Sequence, residues 1–166
     1  MNVIFERTSV HQYTDETLSK EQIEQIIKAG FCAPSAVNAQ PWEVIVVTDP
    51  KELEELSHFS PYAMCLKEAK LGVVLLANRD HQFGDAYDVM DLSAMSENML
   101  VEARSLGLGD VWLGGYPEQE RVEFLKTFFK LPENIVPYWV LSFGHPLHEL
   151  KPKDKWDPKK VHYNTY

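Results

Sequence analysis

The sequence predicts an α+β protein: a three-layer αβα sandwich with helices on both faces of a mixed central sheet. Two observations carry this. From residue 19 onward, amphipathic helical stretches alternate with short apolar runs, and Pro, Gly and Asp separate them. The apolar runs are too short for an ideal parallel sheet, so a mixed sheet between helical layers is expected. The chain has 166 residues, 45% apolar and 25% charged, the composition of one globular domain around one core. Residues 1–166 are therefore read as a single domain, with 145–166 as an extended C-terminal arm.

Ser19-Lys20-Glu21-Gln22 forms a capping box: the Ser19 hydroxyl caps the Gln22 amide and the Gln22 side chain reaches back. The helix behind it places Ile23, Ile26, Ile27 and Phe31 on one face and stops before Pro34. Trp42 to Val47 reads as a strand. Asp49 as N-cap, Pro50 at the first helical position and Glu52 two residues on start a second helix, with Leu53 and Leu56 pointing inward. Gly72 to Ala77 is apolar throughout, as a central strand covered on both sides would be. Tyr87 to Leu106 is the longest helical pattern, and it is apolar or small around so much of its girth that more than one side must be buried. Ser93, Ala94, Ser96 and Ala103 would let another backbone approach it. That other backbone is either a second subunit or the rest of the same chain. Gly107 and Gly109 end this helix, Asp110 to Leu113 is a short strand, a helix runs from about Glu118 to Phe129, and Tyr138 to Phe143 is the last strand. From His145 the chain turns polar, proline-rich and extended.

The formal net charge of −9 excludes a nucleic-acid surface. No apolar run approaches the ~20 residues needed to span a bilayer. The start lacks the charged n-region and apolar core of a signal peptide. Cys32 and Cys65 form no disulfide or metal pattern, so a reducing cytoplasm is expected, with Cys32 a small buried hydrophobe. Against the negative balance stand five lysines between 151 and 160. They form either a solvated terminus or an anion site.

Dedicated catalytic motifs are missing from the pattern. Gly107-Leu108-Gly109 follows a helix, and Trp112 stands where a dinucleotide fingerprint needs its third glycine. There is no P-loop, nucleophile elbow or helical His-Glu-x-x-His, and the pair His145/His148 has no cysteine beside it. Any redox or transfer chemistry would then come from a cofactor. Arg7-Thr8-Ser9-Val10-His11, if extended, puts a cation, a hydroxyl and an imidazole on one side at intervals of about 6.6–7 Å. Lys153 and Lys155 alternate onto one side in the same way. With Arg7 they would balance a phosphate monoester, which carries close to two negative charges. Leu113-Gly114-Gly115 ends a strand with two glycines, which lets backbone approach a flat ligand, or simply makes a turn. Pro34-Ser35-Ala36-Val37-Asn38-Ala39-Gln40-Pro41-Trp42 offers amides and a hydroxyl on a rigid loop before a strand, suited to a polar, planar partner or to a proline-rich turn.

Taken in order along the chain, these segments resemble the nitroreductase family of FMN-dependent oxidoreductases. Arg7 to Asp15 is similar to its opening R-x-S-x-R/K-x-[FY] segment. Ala33 to Trp42 is similar to its A-P-S-x-x-N-x-Q-P-W signature. Asn98 to Ala103 with Leu106 to Gly109 and Trp112 to Gly115 resembles its central helix and flavin loop. Lys153 to Tyr163 resembles its K-x-R stretch and V-H-Y ending.

The resemblance implies an intertwined homodimer with FMN at the interface. Arg7, Thr8, Ser9 and His11 would hold it from one subunit, and Lys153 and Lys155 would help at the phosphate. Pro34, Ser35, Asn38 and Gln40 would come from the partner, and Leu113, Gly114 and Gly115 would lie at the N5 side. It assigns no catalytic side chain and no metal. It implies ping-pong hydride transfer from NAD(P)H to a small acceptor: a nitroaromatic, a quinone or a flavin. A non-catalytic FMN-binding sensor, dehalogenation and flavin breakdown are alternatives on the same fold. His11 stands where the family usually has Arg or Lys, and a neutral imidazole would stabilise a reduced flavin anion less. Lys155 stands where Arg is common and lacks the bidentate fork. The chain is short for the family, so the lid is expected to be reduced at 56–72 and 78–87.

Overall fold

The computed structural model describes residues 2–166. Its helices are α1 (Val3–Glu6), α2 (Lys20–Phe31), α3 (Pro50–Leu56), α4 (Asp85–Ser105) and α5 (Gln119–Phe129). Its strands are β1 (Trp42–Val47), β2 (Leu71–Asn78), β3 (Gly109–Gly114) and β4 (Ile135–Gly144). The caps form as the sequence predicts. Ser19 Oγ accepts the Gln22 amide at 3.1 Å and Gln22 Oε1 accepts the Ser19 amide at 2.8 Å. Asp49 Oδ1 accepts the amides of Lys51 and Glu52.

The strands form one sheet in the order β1-β2-β4-β3. Strand β2 lies inside and is buried from Leu71 to Ala77, which is why its sequence is apolar on both faces. Alternation divides its side chains. Leu71, Val73 and Leu75 pack with Ile26 of α2 and with Leu92, Met95 and Met99 of α4. Val74 and Leu76 pack with Leu53 and Leu56 of α3 and Leu125 of α5. Helices therefore cover both faces, and the α+β sandwich is borne out. The sheet is less mixed than expected: among the described residues all three strand pairs are antiparallel, and the parallel component is the bridge Ser9–Asp110. Helices lie in the connections between the paired strands, yet each strand runs opposite to the neighbour it bonds.

Small residues of α4 serve the chain's own core. A Cβ on Gly30 of α2 would stand 2.3 Å from Met99 Cε, so glycine lets α2 and α4 approach closely. Ser96 and Ala103 are fully buried, and Ser96 Oγ accepts the Trp139 indole N–H at 2.8 Å. In β4 the register shifts opposite Leu75/Leu76, so Trp139 and Pro137 find partners and Tyr138 is the extra residue. Cys32 departs from expectation: it follows the last turn of α2, where no layer covers it, and is exposed, while Cys65 is buried.

Candidate cofactor site

After α1 the chain runs as an extended strip along the start of β3. The Val10 amide donates to the Asp110 carbonyl at 2.7 Å. A Cβ on Gly109 would stand 2.8 Å from Val10, so only glycine admits the strip here. The strip ends at buried Tyr13, whose hydroxyl donates to the Val10 carbonyl at 2.8 Å and lies 2.7 Å from Ser142 Oγ. Beyond it the two ends of the chain join: Thr14 N donates to the His145 carbonyl and Leu147 N to the Gln12 carbonyl.

This pairing brings the N-terminal strip and the C-terminal arm around one cavity of about 510 Å³. Arg7, Thr8, Ser9, His11 and Gln12 form one wall, and His148, Leu150, Lys151, Lys153 and Lys155 form the other. The structure thus gathers Arg7, Thr8, Ser9, His11, Lys153 and Lys155 from opposite ends of the sequence. The lining carries Arg7 and three lysines against Glu149, on a chain of net charge −9. An adjoining cavity shares Arg7, Lys153 and Lys155 and adds Ile4, Phe5 and Trp156.

Arg7 is held on its inner side. Its Nη1 donates to Asp110 Oδ1 at 3.1 Å, and its Nε lies 3.8 Å from Glu97 Oε1. Asp110 is 1% exposed. Burial pushes its carboxyl up to about 7, against the Arg7 guanidinium, which pulls it down. Sequence reading missed Asp110; its signal was an acidic residue at the head of an apolar strand.

Leu113, Gly114 and Gly115 lie at the other end of β3. Leu113 is buried, and a Cβ on Gly114 would meet nothing within 4 Å among the described residues. Gly115 differs. Its amide donates to the Tyr138 carbonyl at 3.1 Å, and a Cβ would stand 2.6 Å from that oxygen. Close packing against the β4 bulge accounts for this glycine. Arg121 Nη1 donates to the Gly114 carbonyl at 3.0 Å. Behind the bulge, the Tyr138 hydroxyl donates to Asp88 Oδ2 at 3.4 Å. Asp88 is fully buried, and burial raises its carboxyl to about 6.

Pro34, Ser35, Asn38 and Gln40 sit in the connection between α2 and β1. Val37, Asn38 and Gln40 there have φ of 49°, 59° and 51°. The polar groups first hold their own loop: Ser35 Oγ accepts the Gln40 amide at 3.0 Å, and Asn38 Oδ1 accepts Gln40 Nε2 at 2.9 Å. Ala36 N donates to Asp91 Oδ1 at 2.9 Å. None of these residues lines the cavity at Arg7. Asp91 and Glu97, the α4 contacts of the loop and of Arg7, are separated by about 9 Å of rise and roughly 120° around the helix.

This sandwich, with its basic cavity closed by both ends of the polypeptide, defines the class. The sequence model of the Nitroreductase family matches residues 4–73 and 62–145, and the chain belongs to that family. A protein of Archaeoglobus fulgidus, provisionally named NADH dehydrogenase/NAD(P)H nitroreductase, is 40% identical over 168 residues, covering 98% of this chain and 95% of that protein. A Clostridium acetobutylicum structure, provisionally named an NADH oxidase, superposes with a TM-score of 0.97 at 42% identity and 99% coverage of each chain. The FMN-dependent nitroreductase of Clostridium difficile superposes with a TM-score of 0.92 at 28% identity, again over 99% of each.

Proposed function

We propose that this chain is an FMN-dependent NAD(P)H oxidoreductase that works by a ping-pong mechanism on a small acceptor: a nitroaromatic, a quinone or a flavin. The carrying observation is the basic cavity between Arg7–Gln12 and His148–Lys155. Its donor set fits FMN: four cations suit a phosphate monoester, and hydroxyls of Thr8 and Ser9 suit a polyol. A volume of about 510 Å³ is in the range of small-molecule sites. The FMN-dependent relative of the same fold supports the choice of cofactor.

Bound FMN would supply a hydride acceptor at N5, chemistry that no side chain provides. The residues of this chain do the holding. Arg7, Lys153 and Lys155 would neutralise the phosphate. His11, on the exposed edge of the strip, would serve the ring edge. Gly114 would leave room for the flavin.

The separation of the half-sites supports a homodimer. Pro34–Gln40 and Arg7–His11 contact α4 on different faces, so a second copy would bring the loop of one chain to the strip of the other. Ile4, Phe5, Trp156 and Tyr163 are exposed apolar residues near the two chain ends, as surface awaiting a partner would be. The arm at 145–166 would pack on that partner. Two free thiols suit a reducing cytoplasm, and no helix among the described residues is long and apolar enough to cross a membrane.

The test is titration of the purified, flavin-stripped protein with FMN, followed by initial rates with NADH and NADPH separately. Quenching of flavin fluorescence and parallel double-reciprocal lines are expected. Absence of quenching would remove the cofactor reading. Quenching without nicotinamide oxidation would leave a binding or sensor protein.

A further inference from the structure

We propose that Asp110 is a positioning residue of the cofactor site: its carboxylate sets the Arg7 guanidinium at the cavity wall while its carbonyl sets the strip that carries Ser9 and His11. The inference rests on the reading above that Arg7 faces the phosphate.

A carboxylate 1% exposed at the head of an apolar strand is costly unless a partner compensates it. Asp110 has that partner in Arg7 Nη1 at 3.1 Å. Two charges of α4 flank the pair. Glu97 of α4 lies 3.8 Å from Arg7 Nε, and Arg104 of α4 is occupied by Glu6 of α1 at 3.1 Å. Asp110 also accepts the Val10 amide through its carbonyl and bridges Ser9. One residue therefore ties down the cation and the backbone beside it. Arg7 carries five N–H donors in a rigid fork, so a bond to Asp110 leaves others for an anion. Its side chain lines both basic cavities. A free arginine must give up its rotamer freedom when it grips a ligand; here the carboxylate has already taken that freedom away.

Two opposite effects of this carboxylate can be told apart. As an anion it competes with a phosphate for the guanidinium. As a clamp it presents the guanidinium ready-made. The direct bond and the burial favour the clamp, because a competitor would need to be displaced and Asp110 is fixed by its own strand.

The experiment compares FMN and riboflavin dissociation constants at pH 8, above the value of about 7 to which burial raises the Asp110 carboxyl, by fluorescence quenching, in the full chain and in Asp110→Asn, Arg7→Ala and the double variant. Melting curves show that each is folded; if Asp110→Asn is not, Asp110→Ser replaces it in the same scheme. Asp110→Asn is expected to raise the FMN dissociation constant about tenfold, the scale of a charge-assisted hydrogen bond. Riboflavin, which lacks the phosphate, should change less than about twofold. In the Arg7→Ala background the Asp110 substitution should add little, because a clamp without its cation has nothing to hold. Equal losses in both backgrounds, an equal loss for riboflavin, or tighter FMN binding would each overturn the proposal. An Arg7→Ala protein that binds FMN like the parent would instead overturn the phosphate reading of the site, and the proposal with it.

Discussion

Asp91 accepts the backbone amide of Ala36 at 2.9 Å and so ties the Pro34–Gln40 loop to the long helix α4. The bond matters because the next residues are held in unfavourable geometry. Val37 sits at φ 49°, a left-handed conformation that a β-branched residue adopts only under constraint.

Val37→Asn is expected to relieve that strain and raise unfolding stability by about 1 kcal/mol, since asparagine tolerates the left-handed region. Val37 is exposed, so little packing is lost. Urea denaturation checks this; a less stable variant would show that the loop does not store the strain.

The two glycines after β3 should separate packing from ligand approach. Gly115→Ala places a methyl 2.6 Å from the Tyr138 carbonyl and should cost about 1–3 kcal/mol as the bulge shifts. Gly114→Ala meets no protein atom within 4 Å among the described residues, so its melting curve should match the parent's. Any fall in FMN affinity in Gly114→Ala then reports on the ligand alone. If Gly114→Ala melts early, or Gly115→Ala melts like the parent, the account of these glycines is wrong.

The double variant Lys153→Ala/Lys155→Ala should bind FMN more weakly and with a shallower salt dependence, because screened cation–phosphate attraction is what it loses. Both lysines are exposed, so the melting temperature should barely move. Fluorescence titration at low and high salt decides it: an unchanged salt slope would mean these lysines face solvent only.

Stability should fall as pH rises from about 4 to 7. Asp88 and Asp110 have carboxyls raised from 3.8 to about 6 and about 7 by burial. The unfolded chain releases these protons first, so their contribution is whole below about pH 4 and is lost as pH climbs through the folded values. Asp88→Asn removes one share. At pH 8 it should be more stable than the parent by about 1–2 kcal/mol, and near pH 4 about equal. Denaturant midpoints across this range test it, and a parallel offset at every pH would contradict the assignment.

The frame was legible in the sequence because its signals are local. Ser19, Asp49 and Pro50 announce helix starts whatever surrounds them, and the short apolar run Gly72–Ala77 reads as an inner strand. The site was legible as pieces. Arg7, Ser9 and Lys153 carry charge and spacing, but their meeting depends on the pairing of Thr14 with His145 and of Leu147 with Gln12, which no local pattern announces. Asp110 and Asp91 were opaque for the converse reason. A buried carboxylate is explained only by its partner, and Arg7 and the Ala36 amide lie far away in the chain. The packing role of Gly115 was hidden for the same reason, since a bulge at Tyr138 is invisible until β2 and β4 are in register.

One wall of the cofactor cavity is made of residues 7–12 and the other of residues 148–155. During synthesis the first wall leaves the ribosome with nothing opposite it, and waits while the whole sandwich is translated. A flavin bound in that cavity would be captured only after translation. The nascent protein would fold around its own hydrophobic interior first and become coloured last.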